Sequence, residues 1–174
     1  IMAIKQHIGT CIFLFIIFCA PSISAQTGQE LIILQGDTAY HQFDNLNALS
    51  YYKKALEVQP DNFDCLIKVI RAYNDIGEDV SSEKSEPYYE QAVQQAEKLQ
   101  RMFPEQAESY YWLAVSYGNL ALLRGSKEKV KLSGKVEKNI QKALEIDPNY
   151  ADAYVVLGIY YKEVAGLNSF LKAF

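Results

Sequence analysis

The chain has 174 residues, 49% hydrophobic and 22% charged, a balance that excludes a disordered polypeptide. Its formal net charge of −4 argues against a dedicated nucleic-acid binder, which carries a basic face. Five Pro and nine Gly are too few to punctuate many short strands, so long helices are favoured.

The first predicted element is a leader. MAIKQHIGT carries Lys5 and no acid, CIFLFIIFCA is apolar, and PSISAQ supplies small residues. This is the three-part pattern of a secretory signal peptide, residues 1–25, with cleavage expected after Ala25. The apolar run from Ile8 to Ala20 falls short of the roughly 20 residues that span a bilayer. Export to a periplasm or cell envelope is therefore expected, with retention of the leader as an uncleaved anchor as the alternative. Cleavage would remove Cys11 and Cys19 and leave Cys65 alone, without an internal disulfide, as a small buried side chain.

Three segments then repeat one pattern around Pro60, Pro104 and Pro148: VQPDNFDCLIKVIRAY, MFPEQAESYYWLAVSY and IDPNYADAYVVLGIYY. The prolines recur every 44 residues. Each ends one helix, the next two residues turn, and a new amphipathic helix begins. Internal repetition of a helix–turn–helix unit predicts an all-α solenoid of antiparallel helix pairs.

Within one unit, Ala48-x3-Tyr52-x2-Ala55-x4-Pro60, with Gly36 before it, resembles the tetratricopeptide repeat (TPR). The resemblance implies a right-handed superhelix in which small residues let paired helices approach and aromatics fill the gaps. The family period is about 34 residues. Residues 29–62 obey it, 63–106 and 107–150 run 44 each, and 151–174 form an incomplete fourth unit, after which further helices are expected. The extra ten residues are expected between the helices of each unit. In the second unit they are GEDVSSEKSE, with Ser85 as a helix cap and Pro87 in the first turn; in the third they cover GNLALLRG and SKEKVKLSGK. The segment from Tyr110 to Phe174 resembles the TPR subgroup of regulators of microtubule dynamics and exported bacterial relatives. Its aromatic-rich first helix leads through a Gly-bearing segment to an Ala-Leu-Glu run and a closing Leu167–Leu171 stretch. The bacterial-type leader departs from the eukaryotic members, so microtubule binding is not implied.

Enzymatic constellations are scarce. Past the leader only His41 and Cys65 could form a nucleophile pair, and the solenoid sets them too far apart axially. No zinc ligand set or phosphate loop occurs, and Asp75, Glu78 and Asp79 lack a calcium-loop spacing, reading instead as solvated turn acids. Asp37 and Asp44 read as helix-surface and turn residues. No cofactor, no metal and no catalysis are expected.

TPR arrays bind peptides or partner helices along a concave face made by the first helix of each unit. Helical spacing names its lining here. The first row is acidic: Glu30, Asp64, Glu108 and Asp152. Ile33, Ile67, Tyr111 and Val155 form an apolar second row, able to serve groove or core; Asp37, Arg71, Val115 and Ile159 form the third, and His41, Asn74, Asn119 and Lys162 follow. Carboxylates in a first turn also suit the helix dipole, so the acidic row reads as a cationic-ligand rim or as helix stabilisation. Tyr110, Trp112, Tyr117, Tyr154 and Tyr161 read as packing aromatics. The Lys/Asn clamp by which chaperone-binding TPR members hold a C-terminal carboxylate is missing. Arg124–Lys138 is basic, against only Glu128 and Glu137, and reads as a solvated surface or as a weak contact with an anionic surface. The expectation is an exported, non-catalytic scaffold for a protein or peptide. The second expectation is an oligomeric accessory subunit of periplasmic solute uptake.

Overall fold

The computed structural model describes residues 23–172, with side chains described from 27 to 166 except Ser126. The expected leader lies outside these residues apart from the backbone of 23–25. The side chains of Leu167, Phe170 and Leu171, and the whole of Phe174, lie outside as well. Seven helices follow in order: α1 Ile23–His41, α2 Asn45–Val58, α3 Phe63–Asp79, α4 Ser82–Met102, α5 Ala107–Leu123, α6 Ser126–Ile146 and α7 Ala151–Lys172. No strand occurs among the described residues, and no described helix is long and apolar enough to cross a membrane.

The joints fall where the prolines place them. Pro60, Pro104 and Pro148 each lie in the short connection between a second helix and the next first helix. Local side chains fix some of these starts. The Asn62 side chain accepts the Cys65 N–H at 2.9 Å, and Asp44 accepts the Asn47 N–H at 3.1 Å, so both cap orphan amides.

The ten extra residues per unit form no loop. Second helices α4 and α6 have 21 residues each against 14 in α2, and α3 connects to α4 through Val80 and Ser81 alone. The insertion is thus chiefly about two added helical turns at 1.5 Å per residue. Ser85 is not the cap: Ser81 holds that position, and the Ser85 hydroxyl, inside α4, donates to the Ser81 carbonyl at 3.1 Å. Pro87 also lies past the first turn. Its ring removes one interior hydrogen bond, but its position is exposed and water can satisfy the freed carbonyl.

Successive helices pack against one another along the chain, and α3 touches α5 while α5 touches α7. This is the stacking of helix pairs in a solenoid. Ala48, Ala55, Ala72, Ala92, Ala96, Ala114, Ala143 and Ala153 are fully buried and mark the seams. Tyr52, Leu66, Ile70, Ile76, Leu99 and Ile140 fill them, each worth about 1.5–3 kcal/mol relative to exposure. Val136, Ile140 and Ala143 share the buried face of α6 as their spacing predicts. Tyr117 is buried, and Tyr110 and Trp112 pack against the same core. Tyr154 and Tyr161 stay out of the core: each is 53% exposed, because no described helix lies against that side of α7, and Tyr161 meets the Tyr160 ring at 5.3 Å.

Cys65 is fully buried, and its thiol donates to the Tyr52 carbonyl at 3.3 Å. Burial pushes the thiol up to about 11. It is the small core side chain the sequence suggests.

Candidate functional site

The first helices α3, α5 and α7 present their N-terminal turns side by side, so the acidic row becomes a physical cluster. Asp64, Glu108 and Asp152 are solvent-exposed. Burial of the neighbourhood, then Asp64 and Asp152 themselves, push the Glu108 carboxyl above the usual carboxylate range. A helix N-terminus alone would pull it down. Among the described residues none of Glu30, Asp64, Glu108 and Asp152 has an ion-pair partner.

Beside the acids lies an aromatic group. Tyr111 stacks at a tilt on Tyr150, ring centroids 5.0 Å apart, and meets Trp112 edge-on at 5.3 Å. Burial, then Asp152 and Glu108, push the Tyr111 phenol upward; burial, with Glu108 foremost among its neighbours, does the same to Tyr150. A cavity of about 290 Å³ opens against Tyr150 where the second–third and third–fourth joints meet, with Glu105, Glu108, Asp147 and Ile146 in its wall. Tyr150 is absent from the rows read from sequence. It precedes its helix at the position that Gln106 and Asn62 hold one and two units earlier, and its being aromatic there was the available signal.

The remaining lining divides into free and engaged groups. Ile33, Ile67, Tyr111 and Val115 are half-buried, resting on the core while keeping one side to solvent. Ile67 and Tyr111 pack against one core cluster and Ile33 against another. Val155 and Ile159 are 61% and 57% exposed, since nothing described packs beyond α7. Asp37 is more than a helix-surface acid: it accepts the Tyr52 hydroxyl at 2.8 Å and the Lys68 ammonium at 2.5 Å, tying α1, α2 and α3 together. Arg71 lies over the Tyr40 ring at 4.0 Å. Asn74 is 2% exposed and belongs to a ladder: its amide donates to the Ile70 carbonyl and to Ser116, both near 3 Å, and its oxygen accepts from Asn119 at 3.1 Å. Asn74 and Asn119 therefore join α3 to α5.

Asp75, Glu78 and Asp79 lie in the last turns of α3 rather than in a loop. They line a second cavity of about 280 Å³ with Tyr40, Phe43 and Asn45. Burial pushes Asp75 upward, offset by a hydrogen bond from Tyr40 and by Arg71. No group of three His, Cys, Asp or Glu among the described residues is arranged to hold a metal.

The basic segment is largely helical, and half of its cations are engaged. Arg124 pairs with Glu86 and Glu90 at 2.5 and 2.7 Å, Lys129 with Glu163 at 3.1 Å, and Lys135 lies over the Tyr117 ring at 4.3 Å. Lys127, Lys131 and Lys138 remain on the exposed face of α6.

Paired helices, alanine seams, proline joints and an open first-helix face define a TPR solenoid. Solved TPR structures overlay it closely: a thermophilic TPR protein of Thermus thermophilus has a TM-score of 0.68 at 18% identity, covering 79% of this chain and 66% of that one. The Sgt2 TPR domain of Aspergillus fumigatus gives 0.65 at 17% identity over 82% of each chain. The first TPR of Spaghetti, bound to the HSP90 peptide SRMEEVD, gives 0.62 at 14% identity over 80% of this chain and 97% of that one.

Residues 32–174 match the profile of the family described as regulator of microtubule dynamics protein 1-3, and the chain belongs to that family. Regulator of microtubule dynamics protein 3 of Bos taurus is 27% identical over 156 residues, 86% of this chain and 33% of the relative. The Mus musculus protein is 25% identical over 150 residues, 83% of this chain and 32% of the relative. The chain thus spans about a third of the length of these relatives.

Proposed function

We propose that this chain is a non-catalytic binding scaffold that takes a protein or peptide segment along the face of its first helices. The observation that carries the reading is the row Ile67, Tyr111 and Val155, apolar and partly open to solvent, beside Asp64, Glu108 and Asp152, which have no internal ion-pair partners. Apolar side chains of a partner would be buried on that row, and the acids would set polarity and register. The leader pattern in residues 1–25 supports placement of the scaffold in a periplasm or cell envelope. The solved complex of the Spaghetti TPR with SRMEEVD is a precedent for peptide capture by this fold. The charge of the present row is wrong for so acidic a peptide.

The test is capture by the tagged chain from its own cell envelope, alongside Tyr111→Asp. Wild type is expected to retain a defined partner and the variant to lose it with helicity unchanged by circular dichroism. Retention by the variant would place the binding surface elsewhere. Cell fractionation checks the compartment: recovery of the uncleaved chain from the cytosol would overturn export.

A further inference from the structure

We propose that the cavity against Tyr150 receives the cationic side chain, arginine or lysine, of a basic peptide lying along the first-helix face. This rests on the groove reading above and names the chemistry of its ligand.

Four observations converge on a cation. The cavity is about 290 Å³, enough for one long side chain, and three carboxylates stand in its wall: Glu105, Glu108 and Asp147. Its wall includes the aromatic ring of Tyr150, paired with Tyr111 at 5.0 Å, so a cation entering it meets an aromatic side chain as well as carboxylates. The row continues outward through Asp64 and Asp152, which act on Glu108 across the unit boundaries. Finally, these acids lack an internal cation. Lys142, whose ammonium feels the Glu105 charge, binds Glu145 at 3.0 Å, and Lys68, one turn from Asp64, is held by Asp37. An external cation would relieve the repulsion between Asp64, Glu108 and Asp152.

Other ligand classes fit worse. Helix N-termini commonly attract phosphate or carboxylate, but here Glu108 and Asp152 already occupy the first turns of α5 and α7 with negative charge. A bare metal ion lacks a ligand set of suitable arrangement among the described residues. A guanidinium or ammonium on an apolar stem suits a cavity with Ile146, Ala107 and an aromatic ring in its wall.

The experiment uses three synthetic peptides of one alternating-leucine design, with arginine, glutamine or glutamate at the polar positions. Binding is read by anisotropy of a peptide label and by emission of Trp112, the only tryptophan, which meets Tyr111 at 5.3 Å. The arginine peptide is expected to bind about tenfold tighter than the glutamine peptide, the glutamate peptide weakest, and this preference is expected to shrink at high salt. The isosteric pair Glu105→Gln with Glu108→Gln is expected to cut arginine-peptide affinity about tenfold and leave the glutamine peptide unchanged. Exposed Glu83→Gln on α4, away from the cavity, is the control. Equal binding of the arginine and glutamine peptides overturns the cation site and leaves the groove standing. An equal loss with Glu83→Gln, showing diffuse charge attraction, also overturns it. Binding of none of the three overturns both readings.

Discussion

Gly77 and Tyr89 meet so closely that a Cβ on the glycine would lie 2.5 Å from the Tyr89 ring carbon Cε1. Gly36 stands in the same relation to Tyr52, also at 2.5 Å. Each glycine lies on the first helix of a unit and each tyrosine on the second, so backbone meets ring face within the pair. Both rings are buried and cannot move aside without disturbing the core.

Gly77→Ala and Gly36→Ala are therefore expected to destabilise the fold. Overpacking costs about 1–3 kcal/mol, against which alanine returns about 1 kcal/mol of helix propensity. A net loss of up to about 2 kcal/mol should lower the thermal midpoint by up to several degrees. Gly134→Ala on α6, where nothing lies within 4 Å of the added Cβ, should raise it. Circular-dichroism melts of the three variants check the contrast, and an unchanged midpoint for Gly77→Ala would refute the close approach.

Asp37→Ala is expected to cost about 1–3 kcal/mol, the range for leaving a buried donor unsatisfied. The reason is the fully buried Tyr52, whose hydroxyl donates to Asp37, rather than the partly exposed Lys68 ion pair, which contributes less. Asp37→Asn keeps an acceptor for Tyr52 and should recover more than half of that loss in urea unfolding. Equal loss in both variants would assign the stability to the ion pair instead.

Cys65 should resist thiol reagents in the native state. Burial, the bond to the Tyr52 carbonyl and a thiol raised to about 11 leave almost no accessible thiolate near neutrality. Labelling with a disulfide-exchange reagent at about pH 8 should wait on unfolding and become fast in denaturing urea. Rapid native labelling would show that the joint between α2 and α3 opens locally.

Acidification should stabilise the fold as Glu108 titrates. Its folded-state carboxyl is raised above the unfolded value, so the folded state binds the extra proton first. The strain is present above the folded value and is relieved as pH falls through it towards the unfolded value near 4.5. Asp75 and Glu78, also raised, contribute in the same direction. The thermal midpoint measured from neutrality towards pH 5 should rise, and Glu108→Gln should flatten part of that rise. A midpoint that falls over this interval with no difference in Glu108→Gln would remove the acidic row as a source of strain.

The sequence by itself determined the architecture: an all-α solenoid of helix pairs, its proline joints, and the buried fates of Cys65, Ala48 and Tyr52. Those signals are local, because helix period, proline geometry and Asn or Asp caps act within one turn of the chain. Even so, the position of Ser85 misled, since two extra helical turns and a loop of equal length have similar composition. Only the tertiary structure decided which groups on the named face are free. Asp37 is held by Lys68 at a separation of 31 residues, and Asn74 by Ser116 and Asn119 at 42 and 45. Arg124 reaches Glu90 and Lys129 reaches Glu163, each across 34 residues, which ties part of the basic segment to its neighbours. Tyr150 joins Tyr111 for the same reason: stacked helices bring together residues one unit apart, and side-chain reach across that seam leaves no mark on either local pattern.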